Sequence, residues 1–328
     1  MSIHPARAIF LCTVGLLACG DDTTSQPVDT AADSGKAPQP SDAGETRDAA
    51  ADARPEDAGR ATHDAGSATD ADAQRVVLRF RAQLGDEPFE CGRTYRDQGS
   101  TKQTIALHDF RMFVQDVALV DAEGREVPVA LDTRDPWQTP DVALLDFEDS
   151  TGECFGDGGT NAEITGVVPK GEYRALRFSH GVPEKLNHAD PKTFPPPLQT
   201  PGMSWNWLLG LRFVRLELGA VAADLDADAG ANAGSFALHV GSTGCAGNPN
   251  EGTIKCAKPN RSRIELASFE LGKSEVVLDV LPLLSGSDLS ETIECHSGTA
   301  VCDPMFEALG VSYATGQAGD GQRVFRLE

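Results

Sequence analysis

From Gln74 onwards the apolar residues fall in short runs, and almost every run is stopped by Gly, Pro, Asn or Asp. That punctuation excludes long helices and favours short strands joined by turns and loops. Ten stretches read as strands: 76–84, 104–120, 127–131, 142–146, 163–168, 173–179, 212–217, 236–240, 261–266 and 275–280. Alternation is clearest in Val77-Leu78-Arg79-Phe80-Arg81 and from Leu211 to Leu218, which places the apolar side chains on one face. Asp303-Pro304 ahead of Met305-Phe306-Glu307-Ala308-Leu309-Gly310 reads as one short C-terminal helix with proline in its first turn. The expected fold is all-β: an antiparallel β-sandwich or partly open barrel with long loops. Roughly 250 residues suffice for one such domain, placed at residues 75–328, with two small sandwiches as the alternative.

The N-terminal quarter has a different character. Arg7 precedes an apolar run, Ala8 to Leu17, that is too short to span a bilayer and reads as the signal peptide of residues 1–18. The run ends Leu16-Leu17-Ala18-Cys19, which resembles a bacterial lipoprotein processing site. Lipidation at Cys19 would tether the mature chain to a membrane without spanning it. The alternative is an ordinary cleaved signal. Residues 19–74 are rich in Ala, Asp, Gly, Ser, Thr and Pro, and between 20 and 74 thirteen acids face four bases. Such a composition buries too little apolar area to offset ordering entropy, so a disordered tether is expected, about 40 Å in r.m.s. reach. With a net charge of −22, nucleic acid and anionic lipid surfaces are poor partners. The expected location is the cell envelope, lipid-anchored and facing the periplasm or the cell surface.

Beyond Cys12 and Cys19 six cysteines remain: Cys91, Cys154, Cys245, Cys256, Cys295 and Cys302. An even set in an exported β-rich chain implies disulfides. Several pairings are open; short loops favour Cys245–Cys256 and Cys295–Cys302, leaving Cys91–Cys154. Without a C-x-x-C pair, zinc and thioredoxin-like chemistry have little support, and Cys295-His296 lacks the spacing of a haem attachment site.

The chemistry is expected between Gly181 and Phe213, where His188, Met203, Trp205 and Trp207 fall close together around the run Pro195-Pro196-Pro197. The prolines forbid a continuous helix and stiffen a loop. Imidazole and thioether beside oxidisable indoles suit a soft, redox-active metal, copper first. Taken singly, each residue has a plainer reading: indoles and methionine fill cores, and most histidines in β-proteins are hydrogen-bonded structural groups. His108 and His180, at strand ends, are read as structural. Hydrolase signatures are missing: there is no Gly-x-Ser-x-Gly, and Gly156-Asp157-Gly158-Gly159 precedes no helix that could cradle phosphate. The acidic stretch 224–230 lacks a closing Glu and reads as a solvated loop.

Many short motifs together are similar to those of the MbnP-like periplasmic proteins, the four-Cys partners of metallo-mystery pairs. They include Phe89-Glu90-Cys91-Gly92, Asp109-Phe110-Arg111-Met112-Phe113-Val114, Trp137-Gln138, Ala143 to Glu148 and Gly152-Glu153-Cys154. Further along come Arg177-Phe178, Gly181-Val182-Pro183, Leu186-Asn187-His188, Gly202-Met203-Ser204-Trp205-Asn206-Trp207 and His239 to Cys245. Phe113 stands where Tyr is commoner, and Leu211 replaces the Tyr of the usual Gly-Tyr-Lys-Phe. The resemblance implies a non-catalytic protein that binds one copper ion and is paired with a di-haem cytochrome c peroxidase-like partner. It also implies oxidation of Trp205 or Trp207 towards kynurenine by that partner. Carried onto this chain, the expected copper ligands are His188 and His239, with Met203 adjacent and oxidised Trp205 as a third, weaker donor. A metal-free surface lipoprotein serving as scaffold or adhesin is the rival reading; an extracellular hydrolase is a second rival without a motif.

Overall fold

Nineteen residues, Gln103–Asp121, form the strand on which the larger of two sheets is built. The computed structural model describes residues 72–206, 208–221 and 234–328. The signal segment, Cys19, almost all of the tether, Trp207 and the stretch 224–230 lie outside the described residues. The larger sheet runs Ile264–Ala267, Tyr173–His180, Gln103–Asp121, Val214–Ala220, Ser235–Val240, Ile293–Cys295, with Thr94–Gln98, Glu126–Pro128 and Ala143–Asp146 also paired to the long strand. A register shift between Gln115 and Ala118, with Asp116 at φ 53°, bends that strand. Asp tolerates the left-handed region, and a bulge bends its strand and raises the local twist, so several partners can share its length.

The smaller sheet runs Phe325–Leu327, Glu275–Asp279, Ala73–Leu84, Glu163–Pro169, Ala130–Leu131. The two sheets face each other across one apolar core: Leu78 and Phe80 meet Phe110, Met112, Phe178, Leu216 and Leu238. The Phe178 ring stands edge-on to Phe80 at 5.9 Å and to Phe325 at 5.2 Å. Each such fully buried side chain contributes about 1.5–3 kcal/mol of transfer free energy. The all-β sandwich-like fold read from the sequence is therefore the observed one, and Asp303–Ala308 is helical, with Pro304 in its first turn.

Two features depart from the expected antiparallel plan. Ala73–Leu84 pairs parallel to Glu275–Asp279, and Ser235–Val240 parallel to Ile293–Cys295. Period-two patterning fixes which face a side chain takes, not which distant strand lies alongside. The expected single strand 127–131 is also two pieces: Glu126–Pro128 pairs in the larger sheet and Ala130–Leu131 in the smaller. The chain changes sheets there.

The three disulfides are Cys91–Cys154, Cys245–Cys256 and Cys295–Cys302. Among the described residues no helix is long and apolar enough to cross a membrane. The stretch from Gly181 to Phe213 folds over the outer face of the larger sheet. There Phe113, pointing away from Met112 and Val114, joins Val142, Leu144, Val182, Phe194, Leu198, Met203, Leu211 and Phe213 in a second apolar cluster.

Candidate metal centre

On that outer face the register lines up a row of polar residues. Asp146 lies opposite Arg111, Arg111 opposite Arg215, and Arg215 opposite His239. Directly opposed residues share a face, so four strands contribute to one rung. A second rung sets Asp109 opposite Glu217. Ionic bonds knit the two: Arg111 Nε donates to Asp109 at 2.8 Å, Arg215 Nη1 lies 3.1 Å from the same carboxylate, and Arg215 Nε donates to Glu217 at 2.8 Å. Arg111 also reaches the Pro201 carbonyl at 3.0 Å, which ties the rung to the loop above it.

His239 closes the row. Its Nε2 is 2.6 Å from Glu217 Oε1, and its Nδ1 is 3.1 Å from Nδ1 of His296, with the ring centroids 4.9 Å apart. The parallel pairing explains the second contact, since Leu238 sits opposite Cys295 and the next residues along are the two histidines. Ser297 holds the segment in place, donating to the His239 carbonyl at 2.7 Å and accepting from Gly241 N–H at 2.9 Å. Burial works to raise the Glu217 pKa, but hydrogen bonds from His239 and Arg215 and the Arg215 charge outweigh it and hold it at about 2. Burial, with Arg212 nearby, lowers the His239 pKa against the pull of Glu217, so the neutral ring is favoured. An ionised Glu217 accepts a hydrogen bond from Nε2–H, which leaves the His239 Nδ1 lone pair facing His296. Carboxylate, imidazole and an open nitrogen in that order are how proteins orient a metal-binding histidine. Two bonds of about 2 Å from one ion can reach two nitrogens at this separation.

Trp205 lies against the chain just beyond His239. It is half-buried, and its six-membered ring packs on Gly241, where a Cβ would come within 2.4 Å of the ring. Gly241 lies two residues beyond His239, which makes the missing side chain the reason the indole fits there. Arg212 covers the indole, its guanidinium carbon 5.1 Å from the ring centroid.

His188 and His239, expected to share one ion, have different hydrogen-bond partners. Both ring nitrogens of His239 face other groups, whereas His188 Nε2 lies 2.9 Å from Asn187 Nδ2 and 3.1 Å from Cys256 Sγ. His188, Cys245 and Cys256 do place three ligand atoms within 4.8 Å of one another. The two sulfurs are bonded to each other, however, so neither is the thiolate that a metal requires. A surface cleft of about 380 Å³ opens beside His188, lined by Glu184, Lys185, Ala189, Pro249 and Lys255 among others. Met203 is fully buried in the second apolar cluster, a packing position where a ligand was expected. His180 is structural as read: it is buried between Ser262 and the Asn260 carbonyl, and burial lowers its pKa to about 4. The His108 ring lies tilted beside Phe155, centroids 5.6 Å apart. His296 was visible in the sequence only as a histidine beside a cysteine. What makes it a candidate is a strand pairing across more than fifty residues.

At the opposite end of the rung, Asp146, Glu148 and Asp157 bring one carboxylate oxygen each within 4.8 Å. Asp146 and Glu148 are fully buried and Asp157 is exposed. Burial pushes the Asp146 carboxyl up to about 8, with the Arg111 charge opposing, and raises Glu148 as well.

The model of the MbnP family matches residues 73–297. The chain belongs to the MbnP family. MbnP from Methylosinus trichosporium has a solved structure similar to this one, with a TM-score of 0.68 and 33% sequence identity over 78% of this chain and 98% of that one. No curated protein matches the chain. The residues matched to the MbnP family include His188, Trp205, Glu217, His239 and His296, and the match ends one residue beyond His296.

Proposed function

We propose that this chain is a non-catalytic copper-binding accessory protein of the cell envelope, with His239 and His296 holding one copper ion through their Nδ1 atoms. The observation that carries the reading is the imidazole pair itself, 3.1 Å apart and backed by an ionised Glu217. Family membership supports a copper-related role, and the donor set suits copper: two imidazoles, with an electron-rich indole alongside. The protein's contribution is to fix the His239 tautomer through Glu217, to hold His296 through Ser297 and the Cys295–Cys302 loop, and to seat Trp205 on Gly241. When bound, copper would bring redox activity beside that indole.

The finer parts of the proposal extend from this site. Trp205, half-buried against Gly241, is placed for oxidation towards kynurenine by a di-haem cytochrome c peroxidase-like partner. The Leu16-Leu17-Ala18-Cys19 sequence supports lipid anchoring, and the acidic segment after it supports a tether. Disulfides support an oxidising compartment.

Copper titration of His239→Ala, His296→Ala and His188→Ala tests the ligand set. Loss in the first two with retention in the third is expected. Loss confined to His188→Ala would move the site to the cleft, and stoichiometric copper in His239→Ala with His296→Ala would refute copper binding here. Intact-mass measurement with and without the co-expressed cytochrome tests maturation: oxygen-derived mass should appear on Trp205 only with the partner.

A further inference from the structure

Among the described residues the carboxylates at the far end of the rung have no ion-pair partner in direct contact, Arg111 acting on Asp146 and Glu148 only from a distance. Asp109 takes Arg111 and Arg215, and Glu217 takes Arg215 and His239. Among the described residues no ion pair reaches Asp146, Glu148 or Asp157, although the first two are fully buried. Their hydrogen bonds are to backbone N–H groups of their own loop: Glu148 N to Asp146 Oδ1 at 3.2 Å, Ser150 N to Glu148 Oε2 at 3.1 Å, Asp157 N to Glu148 Oε1 at 3.3 Å, and Gly159 N to Asp157 Oδ1 at 3.4 Å. The other oxygen of Asp146, Oδ2, is buried with no hydrogen-bond partner. Burying a carboxylate oxygen without a partner is costly, and here three carboxylates converge on one point.

We propose that Asp146, Glu148 and Asp157 form a calcium-binding site, separate from the copper pair and independent of that reading. The donors are all oxygen, which selects a hard cation over copper or zinc. The loop that carries them is closed and shaped for a ligand. Its ends are paired through Asp146 and Asn161, which exchange backbone hydrogen bonds of 2.9 Å in both directions. Its middle is pinned by Cys91–Cys154. Gly156 lets the backbone fold against Glu148, since a Cβ there would fall 1.6 Å from Oε1. Such an irregular loop, free to add carbonyls and water, suits the adaptable shell of calcium better than the strict octahedron of magnesium. Exposed Asp157 supplies the opening to solvent. The same loop places Phe155 over the Arg215 guanidinium at 5.7 Å, so a bound ion would stiffen the cover of the rung that ends at His239.

The test is calorimetric titration of the chelator-stripped full chain with calcium chloride, with magnesium chloride in parallel and thermal melts alongside. One calcium per chain is expected, with a Kd of about 0.1–1 mM, as in extracellular calcium modules, and a raised melting temperature. Asp157→Asn, at a surface position that leaves the fold intact, should weaken calcium at least tenfold, and Glu148→Gln likewise. His239→Ala should bind calcium as the wild type does, so failure of the copper reading leaves this one standing. Absence of both heat and melting shift at millimolar calcium would overturn the proposal. So would unchanged binding in Asp157→Asn, and equal affinity for magnesium would overturn the choice of ion.

Discussion

Replacing Asp109 by Asn probes the network beneath the histidine pair. The carboxylate is fully buried and Arg111 retains only 3% of its side-chain exposure, so neither charge is screened by water. Asn keeps the volume of Asp, which removes any cavity contribution and leaves only the lost charge. Breaking a buried ion pair from one side costs about 3–5 kcal/mol, because the partner charge stays buried. Asn can still accept one hydrogen bond, which favours the lower end. For a domain of this size that translates into a melting temperature lower by roughly 6–20 °C. Urea denaturation followed by tryptophan emission gives the stability directly, with an unchanged slope confirming the same native state. The partner experiment is Asp109→Asn with Arg111→Met, which removes both charges. It should recover part of the loss, the remainder being the Arg215 contact to the lost carboxylate and about 1 kcal/mol for the Pro201 carbonyl left without its donor. A loss below about 1 kcal/mol in Asp109→Asn, or a double variant no more stable than the single one, would refute the claim that this pair is held as a buried charge network.

Glu217→Gln keeps a hydrogen-bond acceptor at His239 but removes the charge that orients it, and should lower copper affinity by roughly 10–100-fold while the chain stays folded by circular dichroism. His180 has a folded pKa of about 4 against 6.5 when exposed. A lowered histidine pKa means stability is fully present above pH 6.5 and lost as pH falls towards 4, by about 3 kcal/mol at 1.36 kcal/mol per pH unit. The stability difference between wild type and His180→Gln should shrink by that amount over the window, a comparison that cancels the other titrating groups; a constant difference would refute it. The disulfides should rank by the chain they close: replacing Cys91 and Cys154 by Ser, 63 residues apart, should cost about 4 kcal/mol in urea denaturation. Replacing Cys295 and Cys302, 7 apart, should cost about 2 kcal/mol.

Local rules in the sequence were enough to determine that this chain folds as strands and roughly where they lie. Alternation from Leu211 to Leu218 put Leu216 inside and Arg215 and Glu217 outside, and proline after Asp303 marked the longest helix among the described residues. The disulfide pairs followed from short loops, and the family from many small motifs spread along the folded part. These signals are legible because strand period, capping and loop length act between near neighbours. The ligand set was not of that kind. His188 sits in a recognisable motif but faces a disulfide, Met203 lies in the same stretch but fills a core, and His296 bears no motif at all. Only the parallel pairing of Ser235–Val240 with Ile293–Cys295 sets His239 against His296, and only the row from Asp146 to His239 collects charges from four strands. Partner and register are settled by how distant faces bury one another, so the tertiary structure decided the chemistry of a site whose scaffold was already written in the chain.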